Sequence, residues 1–233
     1  MNEFLIPGLV LILLAALLVW ELYICEGAHF GPRFVVWLYD LTARRYDKIK
    51  QFDADWEYRF LGEPINIATG QLEDASILDV GAGTARVART VLHSGSFTGM
   101  ITCLEPSLPM IREGRKLVPA SRTRWISAWS VPLPFADNTF DMVTCLEILE
   151  FTPHPVETLR ELVRVLRPGG WLITTNRVSR EAPFILGKTF SRKRFPQVLL
   201  SIGLQDIEVL IWQVDYDLAW AQKPLVDPHF LAR

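Results

Sequence analysis

From Phe4 to Trp20 the chain carries no charged side chain; Glu21 interrupts the apolar run, and Leu22 to Cys25 resume it. As a helix rising about 1.5 Å per residue, Phe4 to Cys25 reaches roughly 33 Å, enough to cross a hydrocarbon core of about 30 Å. Glu21 falls near one end, where its carboxylate can reach the interface, and Trp20 and Tyr23 sit at that same end as interfacial aromatics do. The pattern predicts a transmembrane anchor over residues 1–26, with a core or interfacial helix as the alternative. A cleavable signal peptide fits poorly. Glu3 is the one charged side chain ahead of the run, and the stretch Trp20 to Glu26 lacks the small residues of a cleavage site.

Past the anchor the period changes. Residues 27–70 read as a helical connector, with apolar positions at helical spacing from Phe34 to Asp47 and a second polar–aromatic stretch through Trp56 and Phe60. From residue 71 to 233 the pattern becomes strand, glycine turn, helix, repeated. Strands are expected at Ser76–Val80, Met100–Leu104, Arg124–Ser127, Phe140–Cys145, Trp171–Thr175, Asp206–Trp212 and Tyr216–Ala221. Helices are expected up to His93, over Ser107–Leu117, over Val156–Leu166 and over Phe195–Ile202. Arg167-Pro168-Gly169-Gly170 cannot continue a helix and turns the chain into the fifth strand. Apolar strands alternating with helices mean an α/β, doubly wound, mostly parallel sheet covered on both faces. The last two strands lie close enough to form a hairpin, which makes one of them antiparallel.

Charge and composition narrow this picture. Half of the 233 residues are apolar, with the excess concentrated in the first two dozen. The net charge of −2 demands no nucleic acid, and none is expected as a partner. Arg33, Arg44, Arg45, Lys48 and Lys50 follow the apolar run while no Lys or Arg precedes it, so the positive-inside rule puts the rest of this single-pass chain in the cytoplasm. Cys25, Cys103 and Cys145 form no CxxC pair and no Cys/His cluster in sequence, so neither a disulfide framework nor a metal site is expected. Cys103 and Cys145 lie in strand-like runs as small core residues; Cys25, at the membrane edge, is either inert or a candidate for acylation.

The chemistry concentrates after the first strand, in Asp79-Val80-Gly81-Ala82-Gly83-Thr84. Gly81 and Gly83 allow a sharp turn and a close ligand approach, at the point of an open α/β sheet where ligands bind. Dinucleotide sites use the same geometry, but here Arg86 stands where their third glycine would. Asp79 adds a carboxylate suited to an amine rather than a pyrophosphate. Glu105 ends the second strand, where an acid can accept both hydroxyls of a ribose, or else simply favours the helix that Ser107 starts.

In this order and spacing, several runs resemble the class I S-adenosylmethionine-dependent methyltransferases, most of all their small-molecule and quinone-type branch. They are Asp79 to Thr84, Leu104-Glu105-Pro106-Ser107 with Met110, Leu133 to Asp141, Leu149 to Pro155, and Leu166 to Gly170. With the closing Gly203-to-Lys223 segment, the resemblance covers about residues 75 to 223. It implies a Rossmann-like sheet of order 3-2-1-4-5-7-6 and S-adenosyl-L-methionine as cofactor. On that pattern Asp79 faces the methionine amino end, and Gly81, Ala82 and Gly83 line methionine and ribose. Glu105 grips the ribose, Pro106 and Met110 pack near adenine, and Cys145, beside Leu146 and Glu147, borders the sulfonium. Where relatives carry an acid reading the adenine amino group, this chain has Ala128-Trp129-Ser130; Trp129 would stack on adenine or Ser130 would replace the polar contact.

Methyl transfer from a sulfonium requires alignment more than activation, and a base only where the acceptor loses a proton. No catalytic residue is fixed by sequence. His154, Glu147 and Glu150 follow the fourth strand as candidates, although His154 reads first as a surface loop residue beside Pro153 and Pro155 and Glu150 equally as an acid that starts the next helix; Tyr39, Tyr46 and Asp47 of the connector are candidates for a lid or for ordinary helix packing. Between Arg177 and Phe195, Arg180, Lys188, Arg192, Lys193 and Arg194 interleave with Phe184, Ile185, Leu186 and Phe190. That mixture suits either anionic headgroups or a solvated insertion. If the tether and this stretch share a face, the acceptor is a lipophilic small molecule or a lipid. The rival functions are a catalytically silent binding or scaffold protein on the same fold and a nicotinamide-dependent oxidoreductase.

Overall fold

The computed structural model describes residues 5–225. Phe4 and Glu3, at the start of the expected anchor, and residues 226–233 of the expected last domain lie outside the described residues. The apolar run forms helix α1 (Leu5–Val19) and continues as a π-helical turn, Trp20–Ile24. The 19 residues from Ile6 to Ile24 are long and apolar enough to cross a membrane. Most of their large side chains pack against nothing: Ile6, Leu11 and Ile12 are 69%, 69% and 67% exposed.

The connector is helical, as its spacing predicts, but broken into short pieces. These are α2 (Pro32–Thr42), α3 (Tyr46–Lys50), α4 (Ala54–Glu57) and α5 (Glu63–Thr69). Pro32 opens α2 where its missing N–H costs nothing, and the Asp53 carboxylate caps α4 by accepting from the Trp56 amide at 2.9 Å.

Runs with no polar face must be covered on both sides, and here they become the centre of the sheet. Strands β1 (Ser76–Val80), β2 (Met100–Leu104), β3 (Thr123–Ile126), β4 (Phe140–Cys145) and β5 (Leu166–Arg177) run parallel. Strands β6 (Gln205–Ile211) and β7 (Tyr216–Gln222) form the expected hairpin, and β7 inserts antiparallel against β5. The order is 3-2-1-4-5-7-6. Helices α6 (Arg86–Leu92), α7 (Leu108–Gly114), α8 (Pro155–Val165) and α9 (Arg194–Ser201) connect the strands. Side chains alternate between two cores: Ile77, Ile101 and Met142 pack with Val87 and Val91 of α6 on one face. Leu78, Val80 and Val143 pack with Leu159, Leu162 and Phe195 of α8 and α9 on the other.

Three sequence expectations change. The fifth strand begins at Leu166, not Trp171. Pro168-Gly169-Gly170 turns the chain while keeping its partners: the Gly169 amide, at φ +79°, donates to the Lys223 carbonyl at 2.8 Å. The Lys223 ammonium in turn donates to the Val163 and Leu166 carbonyls at 2.8 and 2.7 Å, capping α8. Second, the cations between Arg177 and Phe195 do not all face outward. Arg192 pairs with Asp217 at 2.7 Å, and Lys188 donates to the Thr152 and Pro153 carbonyls at 2.7 and 3.0 Å. Third, folding gathers Glu21, Cys25 and His29, remote from any CxxC spacing, with their polar atoms within 4.8 Å. Glu21 accepts from the His29 amide at 2.8 Å and pairs with its Nδ1 at 2.8 Å, which supplies partners for an acid that is 5% exposed.

Phe195 is fully buried and among the largest such side chains. Phe195→Ala is expected to lower unfolding stability by about 3–5 kcal/mol, read from urea titration of the protein in detergent micelles.

Candidate functional site

The turn after β1 carries the site. Its Gly81 and Ala82 amides both donate to the Leu104 carbonyl, at 2.8 and 3.1 Å, which pins the turn to the end of β2. Gly81 has φ +72°, and a Cβ there would stand 2.3 Å from Ile148 Cδ1. Only glycine allows this bend and this approach together.

Two carboxylates stand at the adjoining strand ends. Asp79 is 3% exposed. Its Oδ1 accepts from the Thr144 hydroxyl at 2.7 Å, while its Oδ2 is buried with no partner. Burial pushes its pKa up to about 6, against the lowering pull of Thr144 and Arg86. Glu105 is held from both sides: Oε2 accepts from the Gly83 amide and Oε1 from the Ser107 amide, each at 2.9 Å. Burial pushes it up to about 7, and those two amides oppose the shift. Ser107 itself caps α7 through Met110 and donates to Asp40 of α2 at 2.5 Å.

These groups border a cavity of about 260 Å³. Of the residues expected from sequence, Asp79, Gly81, Ala82, Gly83, Glu105, Pro106, Met110, Trp129 and Ser130 line it together. Cys145 does not. Its side chain is fully buried in the core with Leu78 and Val143, and burial holds its thiol far on the protonated side. The strand ends at Cys145, and beyond it, where Glu147 takes up a left-handed φ of +56°, the rim is formed by Leu146, Glu147 and Ile148 instead. The connector roofs the cavity with Pro32, Val35, Val36, Tyr39 and Tyr46. Asp47 lies outside the lining and latches the connector, accepting from the Thr84 hydroxyl at 2.7 Å and pairing with Arg89 at 2.9 Å.

Sequence reading missed the hub beneath that roof. Arg86 is 9% exposed. It grips Glu57 of α4 through Nε and Nη2 at 2.8 and 2.6 Å and Glu147 through Nη1 at 2.6 Å. Phe52 and Trp212 lie on the guanidinium at 4.3 and 4.4 Å. Glu147, in the left-handed region at φ +56°, also takes Lys50 at 2.6 Å. Burial works against its charge, but Lys50 and Arg86 outweigh it and hold the carboxyl below its usual range. The available signal was Arg86 itself, a charge where a helix packs against its strand. Of the other candidates, His154 lines the cavity, whereas Glu150 is 1% exposed and accepts from Tyr216 outside the lining.

Residues 78–174 match a methyltransferase domain family. The chain is 38% identical over 152 residues to a ubiquinone/menaquinone biosynthesis C-methyltransferase of Roseobacter denitrificans, covering 64% of this chain and 60% of that one. Residues 78–174 are thus similar to a methyltransferase domain, in a chain that spans about 60% of the length of this relative. As a fold, this chain superposes on the cyclase SpnF with TM-score 0.65 at 19% identity, over 84% of this chain and 97% of the other. It superposes on an S-adenosyl-L-methionine-dependent methyltransferase of Aquifex aeolicus with TM-score 0.53 at 17% identity, over 73% and 98%.

The cofactor of such a methyltransferase is S-adenosyl-L-methionine, and the residues present fit it. The unpartnered Asp79 Oδ2 suits a cationic amine, Glu105 suits a diol, and at Gly83 a Cβ would meet only Tyr46 Cε1 at 3.9 Å, so it would fill space the bare turn leaves open. Asp79, buried at the end of β1 beside the turn, would repel the pyrophosphate of a nicotinamide dinucleotide.

Arg86→Met strands Glu57 as an unpaired buried acid, leaves Glu147 with Lys50 alone, and is expected to cost about 3–5 kcal/mol of stability, measured by thermal unfolding. Cofactor affinity should follow pH. Glu105 and Asp79 accept donors most strongly when ionised, so affinity is highest well above both values and falls as pH drops through about 7 and about 6. Isothermal titration of S-adenosylhomocysteine across this range should show the loss, and Glu105→Gln should bind more weakly with a flatter profile.

Proposed function

We propose that this methyltransferase moves the methyl group of S-adenosyl-L-methionine to a small, apolar, quinone-type acceptor at a membrane surface, with residues 1–26 as anchor, 27–70 as lid and 71–233 as the cofactor-binding domain. The observation that carries this reading is a cavity with unlike ends. Its floor is the glycine turn with Asp79 and Glu105, while its roof is Val35, Val36 and Tyr39, and Phe151 lies in its wall. The C-methyltransferase named above bears a quinone-biosynthesis title and supports an acceptor of that class. The tether adds support. Its end shares a face with the stretch after β5: Cys25 Sγ donates to the Phe184 carbonyl at 3.7 Å, His29 Nε2 meets the Leu186 carbonyl at 3.2 Å, and Glu26 pairs with Arg177 at 2.7 Å.

When bound, the cofactor supplies an activated methyl, and the protein's work is alignment and exclusion of water. Asp79 receives the amino end, Glu105 the ribose hydroxyls, and Pro106, Met110 and Trp129 the adenine. Ser130 replaces the usual acid as polar contact. Glu147, locked between Lys50 and Arg86, shapes the rim and takes no proton. Where the acceptor is a phenol or quinol, His154 accepts its proton, because it lines the cavity without a side-chain partner among the described residues.

The test is incubation of the membrane-bound protein with labelled donor and reduced quinone precursors, followed by identification of the labelled product. His154→Gln should lower kcat by about 10²–10⁴-fold with cofactor affinity unchanged. Cofactor binding without turnover on any extract would instead favour a silent binding protein, a reading the fold alone permits.

A further inference from the structure

Helix α2 has two working faces. Pro32, Val35, Val36 and Tyr39 line the cavity. On the other side, exposed residues recur at helical spacing: Arg33, Trp37, Leu41, then Arg44, Arg45 and Lys48 in the turns that follow. Trp37 is 51% and Leu41 66% exposed. The four basic side chains enter no ion pair among the described residues. Apolar side chains at the centre of a stripe and basic ones at its ends are the distribution of a helix lying in a membrane interface.

The surface continues beyond α2. Phe30 packs on Phe34 and Phe34 on Trp37, at centroid distances of 4.9 and 5.5 Å, and Phe30 is 51% exposed. Phe184 and Leu186, 57% and 65% exposed, belong to the segment on which the tether ends. That same segment is tied to the cavity wall, since Lys188 donates to the carbonyls of Thr152 and Pro153. The apolar surface therefore runs from the end of the membrane-competent helix to the edge of the cavity.

We propose that the outer stripe of α2, with Phe30, Phe184 and Leu186, lies in the headgroup zone of an anionic bilayer. The cavity then opens toward the bilayer, and a lipophilic acceptor enters past α2 without crossing water. This rests on the membrane part of the function proposed above. The bilayer is the occupant because the apolar helix ends on this surface and the stripe's exposed charges, Arg33, Arg44, Arg45 and Lys48, are all positive and enter no ion pair among the described residues.

The native cysteines are buried, so a nitroxide on a Leu41→Cys variant reports one site. In vesicles containing phosphatidylglycerol, the label is expected to collide with oxygen in preference to a water-soluble nickel chelate. Arg44→Gln with Arg45→Gln should weaken that preference. A label as open to the chelate as in detergent-free water overturns the proposal. This readout needs no turnover, so it stands apart from the catalytic assignment. In a second arm, Trp37→Glu with Leu41→Glu should raise KM at least tenfold for a long-tailed quinol in vesicles, with kcat/KM unchanged for the tail-less quinol. Equal loss on both quinols overturns the entry route, while absence of wild-type turnover on both would count against the proposed activity instead.

Discussion

A single buried guanidinium organises this protein. Arg86 opens the helix that follows the glycine turn, and its charge is neutralised by Glu57 from the connector and Glu147 from the rim of β4. Aromatic rings from Phe52 and Trp212 shield it from water. Removing water from a charge is expensive unless every donor finds an acceptor, so the three segments must come together in one arrangement. Roof, turn and rim are thereby registered to one another. A site assembled from separate stretches of chain gets its geometry from this cluster more than from any one element.

Two kinds of group divide the labour at the cavity. Asp79 and Glu105 are acids whose burial raises their pKa values and which form no ion pair among the described residues, and Asp79 keeps one oxygen without a partner to offer a ligand. Glu147 is an acid committed to two cations, which hold its pKa down. Three carboxylates within one site thus have different chemistry because their neighbours differ. The first two suit recognition; the third suits construction.

The connection between apolar helix and domain is as built as the site. Glu21, Cys25 and His29 satisfy one another or nearby carbonyls, and Arg177 draws in Glu26. This fixes where the helix leaves the domain, and so which side of the cavity faces whatever surrounds that helix. Fold alone gives no such orientation: SpnF shares the architecture and is named for a different reaction.

Much of this was legible in the chain itself. Apolar runs bounded by glycine and proline marked the strands from Ser76 to Cys145 to within a residue or two, because period and turn chemistry are local properties. The glycine turn and Glu105 pointed to a ligand site for the same reason, while the run from Leu133 to Asp141 did so only through its resemblance to the methyltransferases. What tertiary structure decided was everything that depends on which side a residue faces or on partners far away. Cys145 and Leu146 are neighbours in sequence, yet one enters the core and the other the cavity. Glu57, Arg86 and Glu147 stand 29 and 61 residues apart. Pairing across such gaps leaves no periodic trace, because it is set by how helices pack over the sheet; sequence determined the elements and the chemistry available, and packing determined which charges meet.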